Sequence, residues 1–359
     1  MARMKDVAER CGVAESTVSH VLNNTKHVSP EVRERVISAM RELNFHGNAH
    51  ARRLARGYSD FLGLIISDIE NPFFPGLIKA FESAALQAGF DVLLATTNYE
   101  PTRTEKAFQK MIENKAPGVA VMTSRIDAER ARLLEENGVA AVFLDSGSIG
   151  AMRSNVRLDY AKGTYEAINY LHNLGHRDFA YVTGPPNRPS HVAYREAVRS
   201  ALEHLDLKPR IIQGENTVAS GEQAVRRLLT ERPLPSAVLC SNDLTAIGVL
   251  RVLIQAGIQV PDDVSVVGAD DIPFAAYTHP PLTTVQIPRE RLGRLAFEIL
   301  QQMLREKAAG SETTLDTQLV LRESTGVART AGIGSSIISD RGDKINFALK
   351  EIGSPRVIR

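Results

Sequence analysis

Tryptophan is absent from the 359 residues, and cysteine occurs only twice, at Cys11 and Cys240. Two thiols so far apart exclude a disulfide framework and point to a reducing compartment. No stretch approaches the roughly 18 apolar residues that a membrane helix needs. The opening MARMKD has no apolar segment of the kind that directs export, so a cytoplasmic protein is expected. Also missing are a P-loop, an HExxH helix, a nucleophile elbow and any Cys/His spacing suited to a metal. The nine histidines are scattered. Neither catalysis, nor a cofactor, nor a metal is indicated. Net charge is lacking too, with 43 Lys and Arg against 42 Asp and Glu. The balance is uneven along the chain: ten basic and six acidic residues precede residue 58, leaving 33 and 36 beyond it. A small basic head on a mildly acidic body fits a duplex-binding module carried by something larger. The length implies two or three domains.

The head is legible in MKDVAERCGVAESTVSHVLN, residues 4–23. A helix from Lys5 to Cys11 stops at Gly12, which supplies the positive φ of a tight turn, and a second helix runs from Glu15 to Asn23. Val7, Val13, Val18, Val21 and Leu22 are the apolar positions, and Ala8 is small enough for a close crossing. The other face carries Glu15, Ser16, Thr17, Ser19, His20 and Asn23, short hydrogen-bonding groups suited to base edges and phosphates. Taken alone, this pattern also fits a helical hairpin with a solvated polar face. Ser29 as N-cap and Pro30 at the first position start a third helix, which runs to about Leu43 and closes a head of residues 1–46.

Residues 47–58 read as a hinge. Gly47 and Gly57 bracket a helix of barely two turns that Asn48 can cap and that needs a partner to persist. Arg52, Arg53 and Arg56 can meet phosphates, and Leu54 stands between charges where a minor-groove wedge would stand. An ordinary charged linker is the alternative.

From Phe61 the pattern becomes an α/β alternation. Strands are expected at Phe61 to Ser67, Asp91 to Thr97, Gly118 to Ser124 and Ala140 to Ser146. A second series follows at Phe179 to Gly184, Arg210 to Glu215, Ala237 to Asn242 and Val264 to Ala269, with amphipathic helices between. Two doubly wound parallel-sheet lobes follow from this. Thr283 to Ile287, a helix from Arg289 to Glu306 and a strand from Asp316 to Leu321 complete the body by crossing between lobes. The body spans 59–327, with lobe 1 at about 59–156 plus 288–315 and lobe 2 at about 157–287 plus 316–327. The tail, 328–359, does not continue the alternation and has no leucine heptad.

In this order the pieces resemble the LacI/GalR family of bacterial transcriptional repressors. KDVAERCGVAESTVSHVLN is similar to its head motif, SPEVRERVISAMRELNF to its third helix, and NAHARRLA to its hinge helix. Body phrases such as Asn71-Pro72-Phe73-Phe74, Leu174-Gly175-His176-Arg177, Ser241-Asn242-Asp243 and Val266-Val267-Gly268-Ala269-Asp270-Asp271 also match, over about residues 4–327. The resemblance implies a homodimer on a near-palindromic double-stranded DNA operator. Its body would be like periplasmic sugar-binding proteins, with a small molecule in the interlobe cleft that alters the hinge. It places Glu15, Ser16 and His20 on bases, and Thr17, Ser19 and Asn23 on the backbone. Lys5, Asn48, Arg52, Arg53 and Leu54 complete the DNA-contacting set. Glu15 is either a cytosine reader or a dipole partner of its helix. Ala14 departs from the family, which usually has a capping Ser there.

Ligands of doubly wound sheets sit at the carboxyl ends of strands. Those ends offer Asn71, Phe73, Phe74, Asp145, Asp159, Arg195, Asn242 and Asp270. Asp145 and Asp159 serve equally well as helix caps. By resemblance Phe73, Phe74, Arg195, Asn242 and Asp270 match the family's effector positions best. Arg195 offers a planar fork of donors, Asp270 can accept from two hydroxyls, and Phe74 offers a face for a sugar ring. A sugar or sugar derivative is expected, with a purine or a partner protein as the alternative controller. Asp270 and Asp271 are not expected to form a catalytic pair, because neighbours on a strand end point apart.

Overall fold

The computed structural model describes residues 2–23, 26–45, 59–123, 126, 128–145, 149–231 and 233–329. The hinge residues Asn48, Arg52, Arg53 and Leu54 and the tail beyond residue 329 lie outside the described residues. The chain divides into two units, Met1–Asp60 and Phe61–Arg359.

The first unit holds three helices, α1 (Met4–Cys11), α2 (Glu15–Asn23) and α3 (Pro30–Glu42). Gly12 takes φ +65° and ends α1, its N–H reaching back to Ala8 and Glu9. The Ser29 hydroxyl accepts from the Val32 N–H, with Pro30 in the first turn of α3. Val7, Ala8, Cys11, Val18, Val21, Val36 and Ala39 form a common core. An Arg10–Glu42 ion pair at 2.8 Å ties α1 to α3 on the surface.

The second unit contains two six-stranded sheets. The first is wholly parallel and combines β1 (Phe61–Ile66), β2 (Asp91–Thr96), β3 (Gly118–Met122), β4 (Ala140–Leu144), β5 (Arg153–Asp159) and β11 (Glu312–Asp316), in the order β11-β5-β4-β3-β1-β2. Helices α4 (Phe74–Gln87), α5 (Pro101–Glu113) and α6 (Ala128–Glu136) connect its strands. The second sheet has the order β12-β10-β9-β8-β6-β7. Its strands are β6 (Phe179–Val182), β7 (Arg210–Ile212), β8 (Ala237–Cys240), β9 (Ser265–Asp270), β10 (Thr283–Gln286) and β12 (Gln318–Val320). It carries α7 (Tyr160–Asn173), α8 (Pro189–Glu203), α9 (Val218–Thr230) and α10 (Asp243–Gln255). Here β12 runs antiparallel to β10 and the other pairs are parallel.

Two differences from the sequence expectation have physical causes. Arg153–Asp159 is a strand although it opens with Arg-Ser-Asn, because each buried polar group is partnered: Arg153 pairs with Glu135 at 2.7 Å, Ser154 accepts from the Ser311 N–H, and Asn155 donates to Glu312 at 2.8 Å. The expected single strand at 316–321 is two short strands, one in each sheet. Between them Thr317 is fully buried, accepting from the Gly163 N–H and donating to the Asp159 carbonyl at 2.6 Å. The crossover helix α11 (Arg289–Glu306) packs on α4 and buries Leu292, Ala296 and Leu300 against the first sheet.

Candidate functional site

Register brings the strand ends of each sheet level with one another. Ile66 pairs with Thr96 and with Met122 in the first sheet, and Val182 pairs with Ile212 and with Cys240 in the second. The loops leaving those ends line one cavity of about 100 Å³. The first sheet contributes Asn71, Phe73, Phe74, Tyr99 and Asp145, and the second contributes His191, Tyr194, Asn216, Ser241 and Asp270. A larger open hollow of about 730 Å³ lies between α4 and α11, away from the strand ends, so it lacks the convergence of loop groups that marks a ligand site in such folds.

Five of the eight residues expected in the cleft are brought together there: Asn71, Phe73, Phe74, Asp145 and Asp270. The Asn71 side chain accepts from the Phe73 N–H at 3.0 Å and shapes the turn into α4, and the rings of Phe73 and Phe74 meet edge to face at 5.2 Å. Asp145 sits in the left-handed region (φ +51°) and accepts from the Leu158 N–H at 2.9 Å and the Tyr160 hydroxyl at 2.7 Å. Burial raises its pKa, partly offset by those two bonds. Asp270 takes φ +100° and Asp271 φ +53°. Burial and the nearby Asp243 carboxylate push the Asp270 carboxyl well above the usual carboxylate range, with Arg289 acting the other way.

Three expected residues lie elsewhere. Asp159 caps α7, accepting from the N–H groups of Ala161 and Lys162 at 3.0 and 3.2 Å. Asn242 is buried and caps α10 through the Thr245 N–H, while its amide donates to the Asn216 carbonyl at 3.2 Å. It therefore acts one step behind the wall. Arg195 is solvent-exposed on α8, and its neighbour Tyr194 takes the inward position, because the helix turns about 100° per residue. The expected guanidinium fork is thus replaced by a phenol, whose pKa burial raises.

The residues that the sequence reading missed are mostly polar or aromatic groups from irregular segments. Asn216 (φ +62°) accepts from Ser241 at 2.6 Å and its amide contacts His191 Nε2 at 2.8 Å. Burial, with help from Arg188, lowers the His191 pKa to about 4, so the ring is neutral at physiological pH. Tyr99 lines the cavity while the Arg188 guanidinium lies over its ring at 3.4 Å. Ser241, beside the expected Asn242, carried the one signal that motif reading could have used. His176 is buried, with Nε2 at 2.9 Å from the Gly326 carbonyl and 3.2 Å from Ser265, and pins the end of the body to the second sheet.

In the head, α2 buries Val18 and Val21 and leaves Glu15 and Ser16 exposed, with Thr17, Ser19 and His20 half-buried. Lys5 is exposed on α1 and lies 3.8 Å from Glu9. The α2 start is held by main chain alone on the Ala14 carbonyl, which accepts from Thr17 at 2.9 Å and Val18 at 3.3 Å. Among the described residues no group of acidic, histidine or cysteine side chains is arranged to hold a metal, and no helix is long and apolar enough to cross a membrane.

Residues 3–48 match the family of bacterial regulatory proteins of the lacI type, and residues 168–325 match a periplasmic binding protein-like domain. The chain is 33% identical over 318 residues to the HTH-type transcriptional repressor PurR of Erwinia tasmaniensis, covering 87% of this chain and 93% of that one. It is 31% identical to PurR of Haemophilus influenzae over 90% of this chain and 98% of the other. The lac repressor dimer bound to operator and the anti-inducer ONPF superposes with a TM-score of 0.82 at 29% identity, covering 90% and 99% of the two chains. A cellobiose complex of the regulator CelR superposes with a TM-score of 0.67 at 30% identity, covering 90% and 100%. The helix-turn-helix head, the two-lobed body and these likenesses agree: the chain belongs to the LacI/GalR family of bacterial transcriptional repressors.

Proposed function

We propose that this repressor binds a near-palindromic operator as a homodimer in the cytoplasm and that a small molecule in the interlobe cavity controls it, most simply a sugar or sugar derivative. The observation that carries this is the convergence of Phe73, Phe74, Asp145 and Asp270 on one cavity at the strand ends. Carboxylates that accept from hydroxyls, beside an aromatic wall, are the chemistry of a polyhydroxylated ring. The PurR relatives favour a purine, and the cellobiose-bound neighbour favours a sugar. Among the described residues the cavity wall holds no guanidinium to meet a purine carbonyl, and this favours the sugar.

Glu15, Ser16 and His20 are the base-reading candidates on α2, with Lys5, Thr17, Ser19 and Asn23 on the backbone. Asn48, Arg52, Arg53 and Leu54 are assigned to the hinge. Two weakly bound heads gain affinity when joined, because the second binding event is intramolecular. The test is selection of duplexes from a random pool by the purified protein, repeated with sugars, sugar phosphates and purines. An inverted repeat whose recovery one compound erases or strengthens is the expected result. Asp270→Ala abolishes the response to that compound; an operator whose recovery no compound alters gives control to a partner protein.

A further inference from the structure

The cavity is short of positive charge. Its wall contains two carboxylates, Asp145 and Asp270, and among the described residues no lysine or arginine. Both oxygens of Asp145 already accept from the protein, one from the Leu158 N–H and one from the Tyr160 hydroxyl. The Asp270 carboxylate accepts no hydrogen bond from the described residues, and it stands at the end of β9 with φ +100°. Each nearby cation is engaged elsewhere. Arg289 donates to the main-chain carbonyls of Asp270 and Asp271, Arg188 lies against the Tyr99 ring, and Arg195 is exposed on α8. His191 is occupied by the Asn216 amide. Arg289 favours the ionised Asp270, but burial and the nearby Asp243 carboxylate outweigh it, so a carboxylate here remains costly. A ligand hydroxyl supplies a hydrogen bond to it but no charge.

Five aromatic side chains stand in the same wall: Phe73, Phe74, Tyr99, Tyr160 and Tyr194. Phe73 and Phe74 meet edge to face, and Tyr160 and Tyr194 do so at 6.1 Å and 89°. Ring faces attract organic ammonium groups through their quadrupoles, most strongly where water is excluded. We propose that the effector of this repressor carries a protonated amino group seated against Asp270 between these rings, and that phosphorylated or carboxylated molecules are rejected. The assignment rests on the cleft being the effector site and narrows the ligand class there.

The test uses the full-length protein and matched ligand series in titration calorimetry. Glucose, glucosamine, N-acetylglucosamine and glucose 6-phosphate form one series, and galactose, galactosamine, N-acetylgalactosamine and galactose 6-phosphate a second. Linear amino alcohols with their diols form a third, and adenine is run beside them. The expected result is that an amine binds at least about 10-fold tighter than its hydroxyl and N-acetyl partners and that no phosphate binds. Asp270→Asn weakens the amine roughly 10- to 100-fold, the range of a charged hydrogen bond. Tyr194→Arg, which places a cation beside Asp270, abolishes amine binding while circular dichroism confirms the fold. Equal binding of neutral partners, binding of a phosphate, amine binding indifferent to Asp270→Asn, or no amine binding in any series overturns the proposal. Phe74→Ala separates the two ways of failing. If it weakens a neutral sugar, the cleft stands and only the charge assignment falls; if neither Phe74→Ala nor Asp270→Asn alters any binding, the cleft itself is not the effector site.

Discussion

Asp270 and Asp271 show how one strained turn is held for a purpose. Two consecutive non-glycine residues at positive φ cost on the order of 1–3 kcal/mol each unless the surroundings fix them. Here Arg322 pairs with the Asp271 carboxylate at 2.6 Å, Gln286 donates to its other oxygen at 2.6 Å, and Asp243 accepts from the Ile272 N–H at 2.8 Å. Arg322→Ala leaves the mostly buried Asp271 charge unpaired, so a loss of about 3 kcal/mol is expected in denaturant unfolding, together with weaker effector binding as Asp270 loses its aim. Asp243 makes a separate prediction about pH. It is fully buried at the start of α10 and accepts from Thr284 at 2.6 Å. Burial pushes its pKa up to about 7, with Asp271 adding to the shift and Thr284, Ile272 and Arg322 opposing it. The unfolded value is about 3.9. Between those values the folded state binds more protons than the unfolded one, so this group's contribution falls as pH rises from about 4 to 7 and is flat above that. Asp145 and Asp270 shift in the same direction, so the comparison must be made against a variant. The melting temperature of wild type minus that of Asp243→Asn should decline from pH 5 to pH 8; a constant difference refutes the assignment.

At the level of elements, stability depends on a few local devices. The α2 helix begins at Ala14, which offers no side-chain acceptor to the free N–H groups of the first turn. Ala14→Ser supplies one and should stabilise the head by about 1 kcal/mol, seen as roughly fivefold slower amide exchange in α2 at constant exchange in the body. The pair α9 and α10 crosses closely because Gly221 lies against the Thr245 carbonyl and Gly248 against the Val218 carbonyl, leaving no room for a Cβ at either position. Elements of this kind were largely legible in the sequence. Gly12, Ser29 and Pro30 announce the head helices, and the apolar runs FLGLII and GVAVM announce buried strands whose period alone needs no partner to be read. Arg153–Asp159 was not legible, because its polar residues are buried through Glu135, Ser311 and Glu312, which lie far off in sequence. The site divides along the same line. Phe74 and Asp270 stand at ends of readable elements, whereas Tyr99 and Asn216 are set by left-handed backbone in loops, which no periodicity marks. Arg195 stands off the cavity wall for a related reason: a motif fixes a neighbourhood, but one residue on a helix decides which side chain faces the cavity.

At the scale of the whole body, the chain passes between the sheets after Asp159, after Gln286 and after Asp316, and Thr317 hydrogen-bonds the third passage to the first. Each sheet keeps its own apolar core. The contact across the mouth of the cavity is made differently: Tyr99 follows β2 of the first sheet, and Arg188 precedes α8 of the second and lies 3.4 Å over the Tyr99 ring. Such a stack is worth about 0.5 kcal/mol when exposed and about 2 kcal/mol when desolvated. That is too little to hold either lobe folded but enough to bias an opening equilibrium between them. Arg188→Ala should therefore leave the melting temperature nearly unchanged while weakening effector binding by roughly 2- to 30-fold, because binding must then supply the closure that the stack now supplies. Small-angle scattering of the ligand-free variant should show a larger radius of gyration, which returns to the wild-type value when the cavity is saturated. If affinity falls with no change in the scattering of the free protein, Arg188 acts on the ligand directly; if neither changes, the stack is only a surface contact and closure is governed by the three crossing segments.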